Sequence, residues 1–270
     1  MLTESALART FSPPAYTDPY ECVEEYRRVM EWASHHPESG SSAAASALDL
    51  PRGRIRPWLN GGKPDAVHAI ETARELGWFD ATLTNERGHA FALLSAGVLS
   101  GGSISAESYE VRFAVDDDSV TDTLECALDM LDCGSTFVNV DAAHRATELT
   151  PHEHTVLLGR ALVALGLPHG SKPNSDLSLP EWLTDAPLSV RAAWAELYLL
   201  NRATGRSDQD LVQVQETGRS AAYRRELASF FESLGGGSVT LAGENAVTLS
   251  AETARVLGFS RDGPYRRDDD

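Results

Sequence analysis

Between Pro51 and Lys63 the sequence reads PRGRIRPWLNGGK, with three arginines, Arg52, Arg54 and Arg56, one lysine, Lys63, and no acid. A guanidinium presents a planar fork of donors that matches the edge of guanine or two oxygens of a phosphate. Cations at this spacing on one short helix therefore suit nucleic acid, through close contacts that need no long-range field. Ser41 and Ser42 open the alanine-rich stretch just before, where the N–H groups of a helix N-terminus are themselves phosphate donors. Ile55, Trp58 and Leu59 supply the apolar face that would seat the run on a core. The same residues also allow a plainer arrangement, a solvated turn whose cations pair with Glu71 or Glu75. Pro57 lets the helix begin as late as Arg56.

Other clusters promise less chemistry. His152, Glu153 and His154 are contiguous, but residues two apart on a helix face different ways, so they read as a solvated first turn and not as metal ligands. Cys22, Cys126 and Cys133 are odd in number and show no CxxC spacing, and Cys126 and Cys133 sit seven apart on one helical face, a core spacing. No glycine-rich phosphate loop or nucleophile motif is visible. The expectation is no metal and no cofactor.

The net charge of −17 over 270 residues would ordinarily oppose a polyphosphate partner. Yet Lys63 and Lys172 are the only lysines. Acidic surface combined with lysine depletion suits a cytoplasm of molar salt, where charges are screened beyond roughly 3 Å and local clusters outweigh net charge. The expectation is a halophilic, acidic, cytoplasmic protein. Its longest apolar run, AFALLSAGVL, is too short to cross a bilayer, and MLTESALART lacks the order of a signal peptide.

These residues must be positioned by elements that the periodicity outlines. Helices are expected over 18–34, 42–48, 52–59 and 65–76, with Asp49, Leu50 and Pro51 as a tight turn and Gly61–Gly62 as another. That is a helix-turn-helix with a helix before and after it, occupying residues 1–85. From His89 the pattern changes to a helix over 89–99 and a strand pair around SISAESYEVRFAV, where Tyr109, Val111 and Phe113 alternate with Glu110 and Arg112. A helix over 119–131, the strand STFVNV and a helix opened by Thr150, Pro151 and Glu153 as a capping box complete one cycle. A second cycle follows with helix 188–202, strand DLVQVQ, helix 220–234, the hairpin SVTLAGENAVTLS and the short helix AETARVLG. The fold class is α+β, an all-α domain followed by one α+β domain over 86–262 made of two divergent halves, with 263–270 as an acidic tail.

Two stretches resemble the LAGLIDADG homing endonucleases. LSAGVLSGGSI, from Leu94 to Ile104, matches the family's signature helix and strand entry. LGLPHGSKPNSDLSLPEWLTDAPLSVRAAWAELYLL, from Leu165 to Leu200, is similar to its central connection and second signature helix. The resemblance implies two helices packed through small residues, here Ala96 and Gly97, each ending in a carboxylate that holds Mg²⁺ at the scissile phosphate. Aligned on the family pattern, the first acid's position is Gly101 and the second is Arg202, or Asn201 with a slip of one residue. None of these is a carboxylate, so no catalytic residue and no metal are expected.

The resulting expectation is a sequence-specific, double-stranded-DNA-binding protein, a transcriptional regulator similar in parts, with the domain order reversed, to WhiA-type regulators. Its DNA-binding residues would be Ser41, Ser42, Arg52, Arg54, Arg56, Lys63 and, on a sheet carrying Tyr109 and strand 211–215, Arg112. Glu110 and Glu216 weaken that sheet as a DNA surface, leaving self-association or a protein partner for the second domain. Two alternatives stay open. One is an active Mg²⁺-dependent endonuclease with ligands elsewhere in the register, and the other is an interaction module that binds no DNA.

Overall fold

The computed structural model describes residues 1–115, 117–140, 147–172, 177–205 and 211–259. The chain divides into two compact units, Leu2–Phe79 and a second running from Asp80 onward. Among the described residues no helix is long and apolar enough to cross a membrane. The anticipated acidic tail lies outside the described residues.

The first unit is helical: α1 (Glu4–Ala8), α2 (Pro19–His35), α3 (Ser41–Leu48), α4 (Arg52–Leu59) and α5 (Asp65–Glu75). Helix α2 starts where the sequence says it should, because Asp18 accepts from the Tyr20 amide and Pro19 loses no helical bond in the first turn. The short α1, capped by Thr3, has too few residues to announce itself by periodicity and was not anticipated. Asp49 turns α3 into α4 at φ 53°, a left-handed conformation that Asp tolerates better than most residues, and the Leu50 amide closes the turn onto Ala45 O at 3.1 Å. Helix α4 spans all eight residues despite Pro57. The amide that Pro57 lacks would have served the carbonyl of Gly53, which lies on the exposed side of the helix. Ile55 and Trp58 are buried, Trp58 meeting Tyr26 of α2 edge to face at 5.7 Å.

The second unit repeats one motif. The first copy is α6 (Glu86–Ser100), β1 (Ser103–Ile104), β2 (Val111–Ala114), α7 (Asp118–Met130), β3 (Ser135–Val138), β4 (Glu148–Pro151) and α8 (Thr155–Ala164). A short helix α9 (Glu181–Thr184) lies in the connection. The second copy is α10 (Leu188–Arg202), β5 (Ala203–Gly205), β6 (Val212–Gln215), α11 (Ala221–Gly235), β7 (Val239–Ala242), β8 (Ala246–Leu249) and α12 (Ala251–Val256). Each copy forms a four-stranded antiparallel sheet, ordered β1-β2-β4-β3 and β5-β6-β8-β7. The identical order makes the two halves counterparts, and the fold class is α+β.

One expectation needs correction. Thr150, Pro151 and Glu153 do not open a helix, since Glu148–Pro151 is strand β4, pairing Phe137 with Leu149 on one side and Phe113 with Leu149 on the other. The Thr150 hydroxyl donates to Val111 O at 2.9 Å instead of capping a helix. Helix α8 begins only at Thr155, so His152, Glu153 and His154 form the turn between β4 and α8.

Candidate nucleic-acid interface and the base of the paired helices

Helix α4 buries Ile55 and Trp58 and turns Arg52, Gly53, Arg56, Pro57 and Asn60 outward. The exposed side of this helix therefore carries two arginines and no acid. The four predicted cations separate in role. Arg52 is exposed and its Nε donates to Ser41 Oγ at 3.1 Å, which joins the first turn of α4 to the first residue of α3. Arg56 is exposed with no ion pair recorded among the described residues. Arg54 turns inward, donating to Glu25 Oε2 at 2.9 Å while its guanidinium lies over the Tyr16 ring at 4.8 Å. Tyr16 donates its own hydroxyl to the same carboxylate at 2.6 Å. Lys63 pairs with Glu71, one of the two acids expected to compete for it. Ser42 is exposed in the first turn of α3.

In the second unit α6 and α10 lie side by side. Trp194 Nε1 donates to the buried Ser95 Oγ at 2.9 Å and Asn201 Nδ2 donates to Ser100 Oγ at 2.8 Å. Ala92 joins Ala186 and Val190 in an apolar cluster nearer the other end of the helix pair. Gly97 does not serve this contact. A Cβ there would stand 2.8 Å from Leu124 of α7 and 3.0 Å from Phe113 of β2, so its missing side chain lets α6 settle onto its own sheet and α7. Small residues were read as helix-to-helix spacers, but the tight fit at this one lies within a half.

The strands fix the register that the sequence left open. Ser103 pairs with Arg112 in the first half and Thr204 with Gln213 in the second. The inward residues of the adjoining strand are Val111 and Phe113 in one copy and Val212 and Val214 in the other. Phe113 opposes Leu149 as Val214 opposes Val247. Ser103 is thus the counterpart of Thr204, Ser100 of Asn201, and Gly101 of Arg202. The residues at the two helix bases are a glycine and an arginine.

Around that base lies a polar cluster that sequence reasoning did not assemble. Lys172, 7% exposed, donates its ammonium to Val98 O and Gly102 O at the end of α6. Arg219 adds a long contact from Nη2 to Leu99 O at 3.5 Å. Glu216, fully buried, accepts from the Tyr198 hydroxyl at 2.7 Å, and Tyr198 in turn meets the Tyr223 hydroxyl at 3.1 Å. Burial, reinforced by Arg219 and Arg202, brings the Lys172 pKa down to about 7. Burial also raises Glu216 above the usual carboxylate range, outweighing the nearby cations and the Tyr198 hydrogen bond. The sequence signals were that Lys172 is one of two lysines and lies in the stretch from Leu165 to Leu200 that resembles the central connection.

The sheet residues find partners of their own. Arg112 is partly exposed and reaches Glu148 at 3.4 Å, so its charge is shared across the sheet, and Asn139 donates to the same carboxylate at 2.9 Å. Tyr109 precedes the strand at φ 59°, where its ring stacks on His169 at 5.3 Å and receives the Arg160 guanidinium at 3.9 Å. Glu216 is in the core and not on a sheet surface, which removes one of the two acids counted against that surface. Glu110 is exposed.

No protein-family profile matches the chain and no curated protein matches its sequence. Similarity appears only among solved structures. One is the full-length DUF199/WhiA protein from Thermatoga maritima, at 7% identity and a TM-score of 0.44 over 70% of this chain and 60% of that one. Another is the homing endonuclease I-WcaI bound to its DNA recognition sequence, at 8% identity and a TM-score of 0.48 over 74% of this chain and 88% of that one. The chain spans about three-fifths of the length of the first.

Proposed function

We propose that this chain is a sequence-specific double-stranded-DNA-binding protein, a transcriptional regulator, that reads DNA through α4 and does not cleave it. The observation that carries the reading is the outward side of α4, where Arg52, Gly53, Arg56, Pro57 and Asn60 stand together without an acid in a chain of net charge −17. The first turns of a helix in this position of a helix-turn-helix are the ones that enter the major groove. Arg56 is assigned to a base edge and Arg52, steadied by Ser41, to a phosphate, while Ser42 and the start of α3 lie against the backbone. Arg54 and Lys63, already paired with Glu25 and Glu71, hold the helix and its following turn in place.

The absence of cleavage is assigned to Gly101 and Arg202. Neither supplies a carboxylate, and Mg²⁺ is held by hard oxygen ligands. The second unit is then left as a partner for DNA, for protein or for a second copy of the chain.

The deciding experiment maps where the protein sits on its own genome and compares binding to a mapped site and to a scrambled duplex. Specific binding that Arg56→Ala abolishes supports the reading. Equal binding to both duplexes by parent and variant would sink it, and binding to neither would favour a second reading, an interaction module that binds no DNA, for which the Arg54–Glu25 and Lys63–Glu71 pairs speak. Nicking of plasmid DNA by purified protein, lost on adding EDTA, would overturn the non-cleaving assignment alone.

A further inference from the structure

Helix α4 carries the two poorest helix formers, Gly53 and Pro57, one turn apart on its exposed side. Nothing in the packing requires either. A Cβ at Gly53 would meet no atom within 4 Å, and Gly53 is not among the glycines at positive φ. Gly62, in the turn that follows, is different, since a Cβ there would stand 2.9 Å from Pro57 O. Pro57 lies inside the helix, past the first turn where a missing amide does no harm, and it is exposed.

Together the two residues have one consequence. In an α-helix the carbonyl of residue 53 accepts from the amide of residue 57, and proline has no amide to give. The Gly53 carbonyl is thus left without its helical donor, on the exposed side and with no side chain of its own beside it. The carbonyls that end the helix are served: Pro57 O accepts from the Asn60 and Gly62 amides at 3.1 and 2.8 Å, and Trp58 O from the Gly61 amide at 3.1 Å. An acceptor therefore stands on the same side as Arg56, which follows Gly53 by three residues and is exposed.

We propose, resting on the DNA-binding reading above, that the Gly53 carbonyl is a base-reading acceptor, taking a hydrogen bond from an exocyclic amine in the major groove beside the base that Arg56 reads. That amine is N4 of cytosine or N6 of adenine. Guanine and thymine present only acceptors and a methyl group in that groove, and phosphate oxygens repel a carbonyl, so these two amines are the groups that suit it. Glycine lets a base edge come close to the main chain where a side chain would hold it off. Arg56 supplies the opposite chemistry, donors for the acceptors of guanine.

The test uses the full chain and the duplex mapped on its genome. Parent, Gly53→Ala and Pro57→Ala proteins are titrated with that duplex, with its single-base-pair variants, and with copies carrying N4-methylcytosine or N6-methyladenine at one position at a time, where the methyl replaces the hydrogen that faces the groove. Thermal midpoints are followed alongside. Alanine is the better helix former at both positions, and Pro57→Ala returns an amide to the Gly53 carbonyl, so both midpoints are expected to hold or rise. Binding is expected to move the other way: both variants bind the mapped duplex about three- to tenfold more weakly and lose preference at one shared base pair. At that position the methylated base weakens binding by the parent and not by the variants, and which methylated base does so distinguishes cytosine from adenine. If Pro57→Ala does not fold, Gly53→Ala and the methylated duplexes decide. Variants that bind and discriminate as the parent does, or methylation that weakens the parent at no position, overturn the proposal. Arg56→Ala tells that failure from the wider one. Its loss of specific binding beside unaltered Gly53→Ala and Pro57→Ala proteins removes the Gly53 acceptor alone, whereas a parent that prefers no duplex removes the DNA-binding reading as well.

Discussion

Replacing Lys172 by methionine should remove a pH dependence of stability whose sign follows from burial. The folded chain holds this ammonium at 7% exposure with a pKa of about 7, whereas the unfolded chain returns it to its ordinary 10.5. Between those values the unfolded state binds one more proton than the folded state, so stability rises as pH rises and is lost as pH falls toward 7. Each pH unit is worth about 1.4 kcal/mol when the proton difference is complete. Below pH 8 the difference is only partly developed, so the gain attributable to Lys172 from pH 7 to 8.5 is on the order of 1–2 kcal/mol. The window stops there because Cys133, raised by burial to about 12 from an ordinary 9.0, pulls stability the other way at higher pH. Methionine also leaves Val98 O and Gly102 O without the ammonium donor, an offset of about 1–3 kcal/mol per buried group that does not vary with pH. Urea unfolding of both proteins at fixed salt from pH 7 to 8.5, followed by tryptophan fluorescence, separates slope from offset. Parallel slopes would mean that Lys172 keeps its ordinary pKa in the folded chain and that the cluster is wetter than its geometry implies.

Arg54→Ala is expected to cost the first unit about 1–2 kcal/mol in denaturant unfolding, through loss of its Glu25 bond and its packing on Tyr16, with little change in base preference. Arg56→Ala should leave stability within ~0.5 kcal/mol and cost about 1–3 kcal/mol of binding at one position of the DNA site in competition assays. Gly97→Ala should destabilise the second unit by about 1–3 kcal/mol, because its methyl meets Leu124 and Phe113 at or below 3.0 Å; an unchanged unfolding midpoint would show that α6 has room to shift. Trp194→Phe, which strips the donor from buried Ser95 Oγ, should lower unfolding free energy by about 1–3 kcal/mol, and Ser95→Ala in the same background should add little if the two act through one bond.

Local signals carried the elements a long way. Asp18–Pro19 started α2 and Ser220 started α11 by accepting from the Tyr223 amide, whereas Asn85, which caps α6 through the Gly88 amide, went unread and the helix was expected only from His89. Each involves residues two or three apart, so the sequence holds both partners in one window. The same windows failed at Glu148–Pro151, where a Thr-Pro-x-Glu run satisfies the rules for a helix start. The strand prevails there because β4 completes a ladder with β2 and β3, and its partners on β2 lie 34 and 36 residues earlier in the chain.

What the sequence by itself determined was the α+β order of elements, the basic run on a short helix with Ile55 and Trp58 inward, and the lack of a carboxylate at Gly101 and at either Asn201 or Arg202. All of these depend on residue type and short-range spacing. What only the tertiary structure decided was which partner each charge finds. Arg54 meets Glu25 from 29 residues away, Lys172 reaches carbonyls 70 and 74 residues back, and Arg219 reaches Leu99 across 120. The choice between Asn201 and Arg202 likewise waited on strand pairings in both halves. Electrostatic and hydrogen-bonding energies depend on separation in space and on burial, and neither is set until the sheets and the helix pair have closed around these groups.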